Sequence, residues 1–381
     1  MQADERIFSD AEDELTLGHV LRRAGYRTLY GGKTHWPLGL DTHRMGFDGF
    51  CTDERERLAV ETAALLRGEL ADGGAPWLTV ASLINPHDIC YMAIRAYAEG
   101  NEESQEARMV RSASQGAHQE ILNLDESLLP PADMSPEVFM RGEHLPPAPD
   151  NSQPQDDEPQ MIGELLDERP FRRNARENWG ELDWRLHRWA YARLMERVDA
   201  QIGVIVDALD ASGQADNTLV ILTSDHGDHN GSHGLEHKTI MYDEAARVPW
   251  IMRLPGRIQA GAVSDSLVST GLDLMATCCD YAGVPQPAHC LGVSQRAAAE
   301  GGASHGRDCV YCENQVSFMV ADQRWKYVLY DHGTGREQLY DREADPGETR
   351  NHAADNSAVL ERMRDALARS RRAHAAVALD Q

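Results

Sequence analysis

Lysine is nearly absent: Lys33, Lys238 and Lys326 are the three lysines of a 381-residue chain in which Lys and Arg together number 37. A chain so biased towards guanidinium is expected to keep an ammonium where a compact, flexible cation does something a planar one does not, which marks three positions before any motif is read. Cysteine is sparse too. Seven residues, an odd number, do not make a disulfide scaffold. Cys309-Val-Tyr-Cys312 is a lone CxxC without the second pair that a zinc site needs, so it reads as strand or turn, and Cys278-Cys279 fall on a helical pattern as core. Positive charge is outnumbered, and the net charge of −25 excludes non-specific nucleic-acid binding. A small anion held by a local cluster of cations stays open. No apolar run approaches the roughly 18 residues of a membrane span. The opening MQADERIFSDAEDE is acidic and polar, unlike a secretory leader, and a cytoplasmic or periplasmic setting both remain open.

What is present reads as alternating helix and strand. Thr16 is expected to cap a short helix that Gly25 ends. A strand over 28–30 breaks into Gly31-Gly32-Lys33-Thr34-His35, and a helix follows over about 54–70. The near-continuous apolar run 77–84 predicts a strand buried on both faces, ending at Asn85-Pro86-His87-Asp88. Residues 98–178 hold nine of the 17 prolines and show no regular period, predicting one long irregular excursion. Order returns with an amphipathic helix over 182–211, a strand over 219–223 running into Ser224-Asp225-His226-Gly227, a strand over 250–253 and a helix over 271–282. From about 308 the pattern shifts to four short strands and a closing helix. The fold class is therefore α/β: a mostly parallel sheet flanked by helices over 1–304, then a small antiparallel sheet with one helix over 305–381.

Three strand ends carry ionisable groups: Lys33 and His35, His87 and Asp88, Asp225 and His226. Open α/β sheets bind ligands beyond the carboxyl ends of their strands. The strands ending near Tyr30, Ile84 and Thr223 are expected to lie parallel in one sheet, so that Lys33, His87 and Asp225 converge. Asp225-His226 offers a carboxylate oxygen and an imidazole nitrogen to a metal; a tight turn around Gly227 is the alternative. His229, His233 and His237 read as supporting residues of that loop. Lys238 returns a second cation to the mouth. Two ammoniums and a divalent ion suit a multiply charged oxyanion, with His35 and His87 as candidates for protonating a leaving oxygen.

These segments resemble the sulfatase family of the alkaline-phosphatase superfamily. LTSDHGDHNGSHGLEHKTIMYDEAARVPWIMRLPG is similar to the signature whose Asp-His or Asp-Asn pair holds calcium or magnesium and whose downstream Lys meets sulfate. TLGHVLRRAGYRTLYGGKTHW resembles the GK-x-H segment, and NPHD the Pro-His segment. RWKYVLY and EQLYDREADPGETRNHA resemble the C-terminal subdomain, which makes Lys326 a subdomain residue. The resemblance implies metal ligation by Asp225 and His226, with Ca2+ first and Mg2+ or Mn2+ as alternatives. It implies sulfate contacts from Lys33 and Lys238, and proton transfer through His35 and His87. The substrate implied is a small-molecule or sugar sulfate ester, with neither nucleic acid nor membrane as partner.

The family's opening strand, its paired aspartates and the Cys-x-Pro/Ala-Ser-Arg segment that becomes formylglycine have no counterpart in the sequence. Cys51-Thr-Asp-Glu-Arg55 copies only the outer two positions and falls after the Lys33 segment. The sequence therefore reads as N-terminally truncated. A bare sheet edge is then expected to favour association, and a homo-oligomer is one expected form. The alternatives are a phosphodiesterase or phosphonate monoester hydrolase of the same superfamily, or a non-catalytic remnant or anion-binding protein.

Overall fold

Gly25, at φ +88°, ends the first helix and lets the chain reverse into the first strand. In the computed structural model, which describes residues 15–36, 39–116, 118–302 and 306–379, that helix is α1 (Leu17–Arg23) and that strand β1 (Arg27–Gly32). The acidic stretch 1–14 and the expected 304/305 boundary lie outside the described residues. Then come β2 (Asp48–Cys51), α2 (Leu58–Arg67), β3 (Trp77–Ser82), α3 (Cys90–Gly100), α4 (Gln105–Gln115) and α5 (Gln119–Ser127). After these follow α6 (Gln160–Asp167), α7 (Pro170–Asn178), α8 (Glu181–Ala211), β4 (Val220–Thr223), β5 (Trp250–Arg253) and α9 (Thr270–Ala282). The chain closes with β6 (Val310–Glu313), β7 (Ser317–Ala321), β8 (Trp325–Tyr330), β9 (Glu337–Asp341) and α10 (Ser357–Leu379).

Strands β2, β1 and β3 form a parallel sheet in that order, with Arg27 opposite Trp77 and Gly32 opposite Ser82. Strand β4 does not join it. It pairs antiparallel with β5, Val220 opposite Arg253. The expected single sheet carrying all three site strands is thus corrected to two sheets. One helical layer still supports both. Leu29 of β1 packs with Ala63 and Leu66 of α2 and Ala208 and Leu209 of α8, and Trp77 and Val220 lean on the same cluster. The run at 77–84 was expected to be buried on both faces, but every residue of β3 is half-buried. The reason is its pairing: β1 is its one neighbour among the described strands, so no described strand covers its other edge. Strand β4 likewise pairs on one side only.

The expected irregular excursion is the largest correction. Five helices lie within it, the four named and a four-residue one over Pro136–Phe139, none longer than 11 residues, so none repeats a 3.6-residue period often enough to show. Prolines that look like breakers start helices here: Pro170 occupies the first turn of α7, and Ser135 accepts the Val138 N–H to cap a short turn beginning at Pro136. Ser104 caps α4 by accepting the Ala107 N–H. Thr16 does not cap; its hydroxyl donates to Met45 O at 2.9 Å.

The small sheet runs β6-β7-β8-β9, antiparallel throughout, with α10 burying Leu360, Met363 and Leu367 against Val320, Tyr327 and Leu339. Its other face meets α6 and the loop around Leu235, Ile240 and Tyr242. Lys326, fully buried, is the link: its Nζ lies 2.9 Å from Asp243 Oδ1 and 2.6 Å from Glu348 Oε2.

Candidate active site

The first cation is delivered by a glycine that nothing else replaces. Gly32 sits at φ +93°, and a Cβ there would stand 2.2 Å from Ser82 O, so only glycine lets β1 turn out beside the end of β3. The turn is fixed by Lys33 N–H donating to Ser82 O at 2.8 Å. Lys33 Nζ then donates to Asp225 Oδ2 at 2.8 Å. Burial works to raise the Asp225 pKa, but the Lys33 bond and the His226 and Lys33 charges prevail and hold it at about 2.

The Asp225 loop is docked by a second close approach. Gly227 N–H donates to Ala245 O at 2.9 Å, and a Cβ on Gly227 would fall 1.9 Å from Glu244 O. His226 Nδ1 lies 2.8 Å from Gly227 O, so the proton sits on Nδ1 and the lone pair on Nε2. That nitrogen is 3.6 Å from Asp225 Oδ2. Burial and the Lys238 charge keep the imidazole below its ordinary pKa, hence neutral and able to ligate. The carboxylate oxygen nearest that nitrogen is the one that already accepts from Lys33. Among the described residues no group of three or more His, Cys, Asp or Glu is arranged to hold an ion.

Lys238 is held by strained backbone. His237 has φ +68° and Thr239 φ +98°, a region that a β-branched residue avoids. Two contacts fix it: His229 N–H donates to His237 O at 2.8 Å, and Asn314 Nδ2, from the turn between β6 and β7, donates to Thr239 O at 2.6 Å. Among the described residues the Lys238 ammonium has no hydrogen-bonded partner. Burial, then Lys33, push its pKa down against the pull of Cys90 and the nearby carboxylates. His87 feels both cations: burial, then the Lys238 and Lys33 charges, lower its pKa to about 4, so it is neutral near pH 7.

His87 is set by a neighbour whose role its sequence position did not reveal. Asp88 is fully buried and receives Arg55 Nη2 at 2.8 Å, Arg55 Nε at 3.1 Å and Asn123 Nδ2 at 2.9 Å. A buried carboxylate so enclosed anchors the turn that carries His87. His35 is exposed, and no contact among the described residues draws it to the others. His229, His233 and His237 are buried, with His233 stacked on Tyr242 at 3.6 Å, as supporting residues would be. Cys51 is also buried, and burial lifts its thiol to about 11, which disarms it as a nucleophile.

The sulfatase family model matches residues 2–284. The chain belongs to the sulfatase family. A second family model, N-sulphoglucosamine sulphohydrolase C-terminal, matches residues 231–373 of this sulfatase-family chain. The Delta 4,5-hexuronate-2-O-sulfatase of Bacteroides thetaiotaomicron is 34% identical over 189 residues, covering 47% of the chain and 39% of that relative. Arylsulfatase K of Rattus norvegicus is 34% identical over 179 residues, covering 43% of the chain and 31% of the relative. The matched segment thus spans under two fifths of these relatives' length. The solved structure of a 2-O GAG sulfatase superposes with a TM-score of 0.71 at 26% identity, covering 94% of the chain and 74% of that structure. The phosphonate monoester hydrolase of Silicibacter pomeroyi shares the fold at a TM-score of 0.67 and 20% identity, covering 93% of the chain and 79% of that structure. The fold is therefore that of the alkaline-phosphatase superfamily, and the family is one of sulfuric ester hydrolases that generally use a divalent metal.

Proposed function

We propose that these residues form the anion- and metal-binding half of a sulfatase site that acts on sulfate esters of sugars. The observation that carries the reading is the Lys238 ammonium, without a hydrogen-bonded partner among the described residues and held by strained backbone in the same electrostatic neighbourhood as Lys33, Asp225, His226 and a neutral His87. Two ammoniums complement the oxygens of a sulfate group, which neutral ligands leave unmatched. Asp225 and His226 would hold the divalent cation, Ca2+ first, which supplies charge for the sulfate oxygens when bound. A neutral His87 keeps an N–H to offer a leaving alcohol, and His35 is its candidate assistant. The similarity to a hexuronate-2-O-sulfatase and to a 2-O GAG sulfatase supports a sugar as the alcohol part of the ester. The domain division at 304/305 is proposed on the change from α/β to the four-stranded sheet.

The proposal assigns binding and proton delivery to these residues and assigns them no attacking group. Calcium takes six to eight oxygen ligands, and among the described residues Asp225 with His226 would supply two donors, so binding weaker than micromolar is expected of the 381-residue protein. Calorimetry with calcium chloride and sodium sulfate, on the 381-residue protein and on Lys238→Ala, tests this. Sulfate binding that vanishes in the variant is expected. Sulfate binding indifferent to Lys238 sinks the reading, as does micromolar calcium affinity together with metal-dependent aryl-sulfate turnover.

A further inference from the structure

Cys90 follows His87 by three residues, and the fold turns that spacing into a contact. A 3-10 turn over His87–Ile89 runs directly into α3, and Cys90 N–H bonds back to His87 O. In such a turn, side chains three apart lie one above the other. Cys90 Sγ stands 3.9 Å from His87 Nδ1. Among the described residues neither side chain has another hydrogen-bond partner, and His87 Nε2 has none. The turn is held on both sides of that contact: Asp88 is clamped by Arg55 and Asn123, and Asn85 Oδ1 accepts the Asp88 N–H at 3.1 Å. The thiol itself is buried among Ala93, Ile94, Phe171 and Ala175. With apolar carbon around it, the imidazole is where its hydrogen goes.

Burial lifts the Cys90 thiol to about 12 against the lowering field of Lys238, so near pH 7 it keeps its proton and acts as a donor. A neutral imidazole carries one N–H and one lone pair, and the bond made by one nitrogen decides which of them holds the proton. The imidazole lone pair is a better acceptor than a thiol sulfur, so S–H···Nδ1 prevails over Nδ1–H···S and the ring proton sits on Nε2. We propose that Cys90 is a positioning residue that fixes His87 in its Nε2–H tautomer, so that the imidazole presents a proton to the leaving alcohol. In the opposite tautomer the N–H would be spent on sulfur inside the apolar wall, and Nε2 would offer the departing oxygen a lone pair. This rests on the leaving-group role proposed for His87 and adds the side chain that prepares it.

Two-bond proton–nitrogen NMR spectra of the His87 ring near pH 7 separate the tautomers, on the 381-residue protein and on Cys90→Ser and Cys90→Ala, without sulfate or calcium. The wild type is expected to show Nε2–H. Cys90→Ser, whose hydroxyl also donates, should keep it, whereas Cys90→Ala should lower the ratio of Nε2–H to Nδ1–H roughly three- to tenfold, the worth of one hydrogen bond. A role in packing alone would not separate the two variants in this way, since both remove the sulfur. An Nδ1–H tautomer in the wild type overturns the proposal with no variant needed, so a variant that fails to fold does not shield it. An unchanged ratio in Cys90→Ala with a native amide spectrum also overturns it, as does an equal loss in Ser and Ala. The leaving-group role is tested apart from this: sulfate binding indifferent to Lys238→Ala leaves the Nε2 proton no ester to reach, and the proposal then falls whatever the tautomer.

Discussion

Replacing Lys326 by methionine keeps most of the side-chain volume and deletes the charge that joins the small sheet to the Lys238 loop. The ammonium is fully buried against Asp243 and Glu348, at 2.9 and 2.6 Å, and Glu348 is 1% exposed. Asp243 keeps Arg342, whose Nε stands 3.1 Å away, but Glu348 has no second cation among its described partners. Breaking a buried pair from one side leaves a charge uncompensated and costs about 3–5 kcal/mol. At roughly 2–4 °C per kcal/mol for a large domain, the melting temperature should fall on the order of 10 °C. The pH dependence gives a sharper check. Burial already raises the Glu348 pKa to about 7 against the opposing pull of Lys326, and losing Lys326 raises it further. The folded variant then binds more protons than the folded wild type in the range where the two differ, while the unfolded chains are alike. Stability changes with pH as unfolded minus folded protons bound, so the variant's deficit must grow as pH rises from roughly 6 to 8 and shrink towards pH 5. Differential scanning calorimetry across that range measures it. A deficit under about 1 kcal/mol, or one that does not change with pH, refutes the reasoning.

Lys238→Ala should raise the His87 pKa from about 4 part of the way towards the ordinary value, since burial remains but the largest of its depressing charges is gone; NMR titration of the imidazole reads this, and Lys326→Met should leave it unmoved. The same Lys238→Ala should melt within about 1 °C of wild type, because its ammonium has no hydrogen-bonded partner to lose among the described residues. Gly227→Ala should cost about 1–3 kcal/mol, read by urea unfolding, because its methyl meets the Glu244 carbonyl; a neutral result would mean that the loop is not docked there.

The sequence was informative where a side chain and its backbone act locally. Lys33 after Gly31-Gly32, His87 after a strand and Asp225-His226 after another are each legible as strand ends, and the structure pairs Lys33 with Asp225. Lys326 was likewise legible as a residue of the subdomain. The pairing of β4 with β5 instead of β1 or β3 was not legible, because a short apolar run such as VILT looks the same in a parallel or an antiparallel pair. Asp88 carried one clue, its adjacency to His87. Its partners Arg55 and Asn123 lie 33 and 35 residues away, and no local rule links them.

Asn314 and Glu348 lie far along the chain from Lys238, yet one holds the carbonyl of Thr239 and the other accepts the Asp243 N–H at 2.8 Å. The small sheet is thus a jig for a loop whose unusual backbone would relax without it. Shortening the protein to its α/β portion would remove none of the six residues placed at the site and would still blunt it. Grafting a foreign C-terminal unit would fail in the same way unless an amide and a carboxylate returned to those two positions.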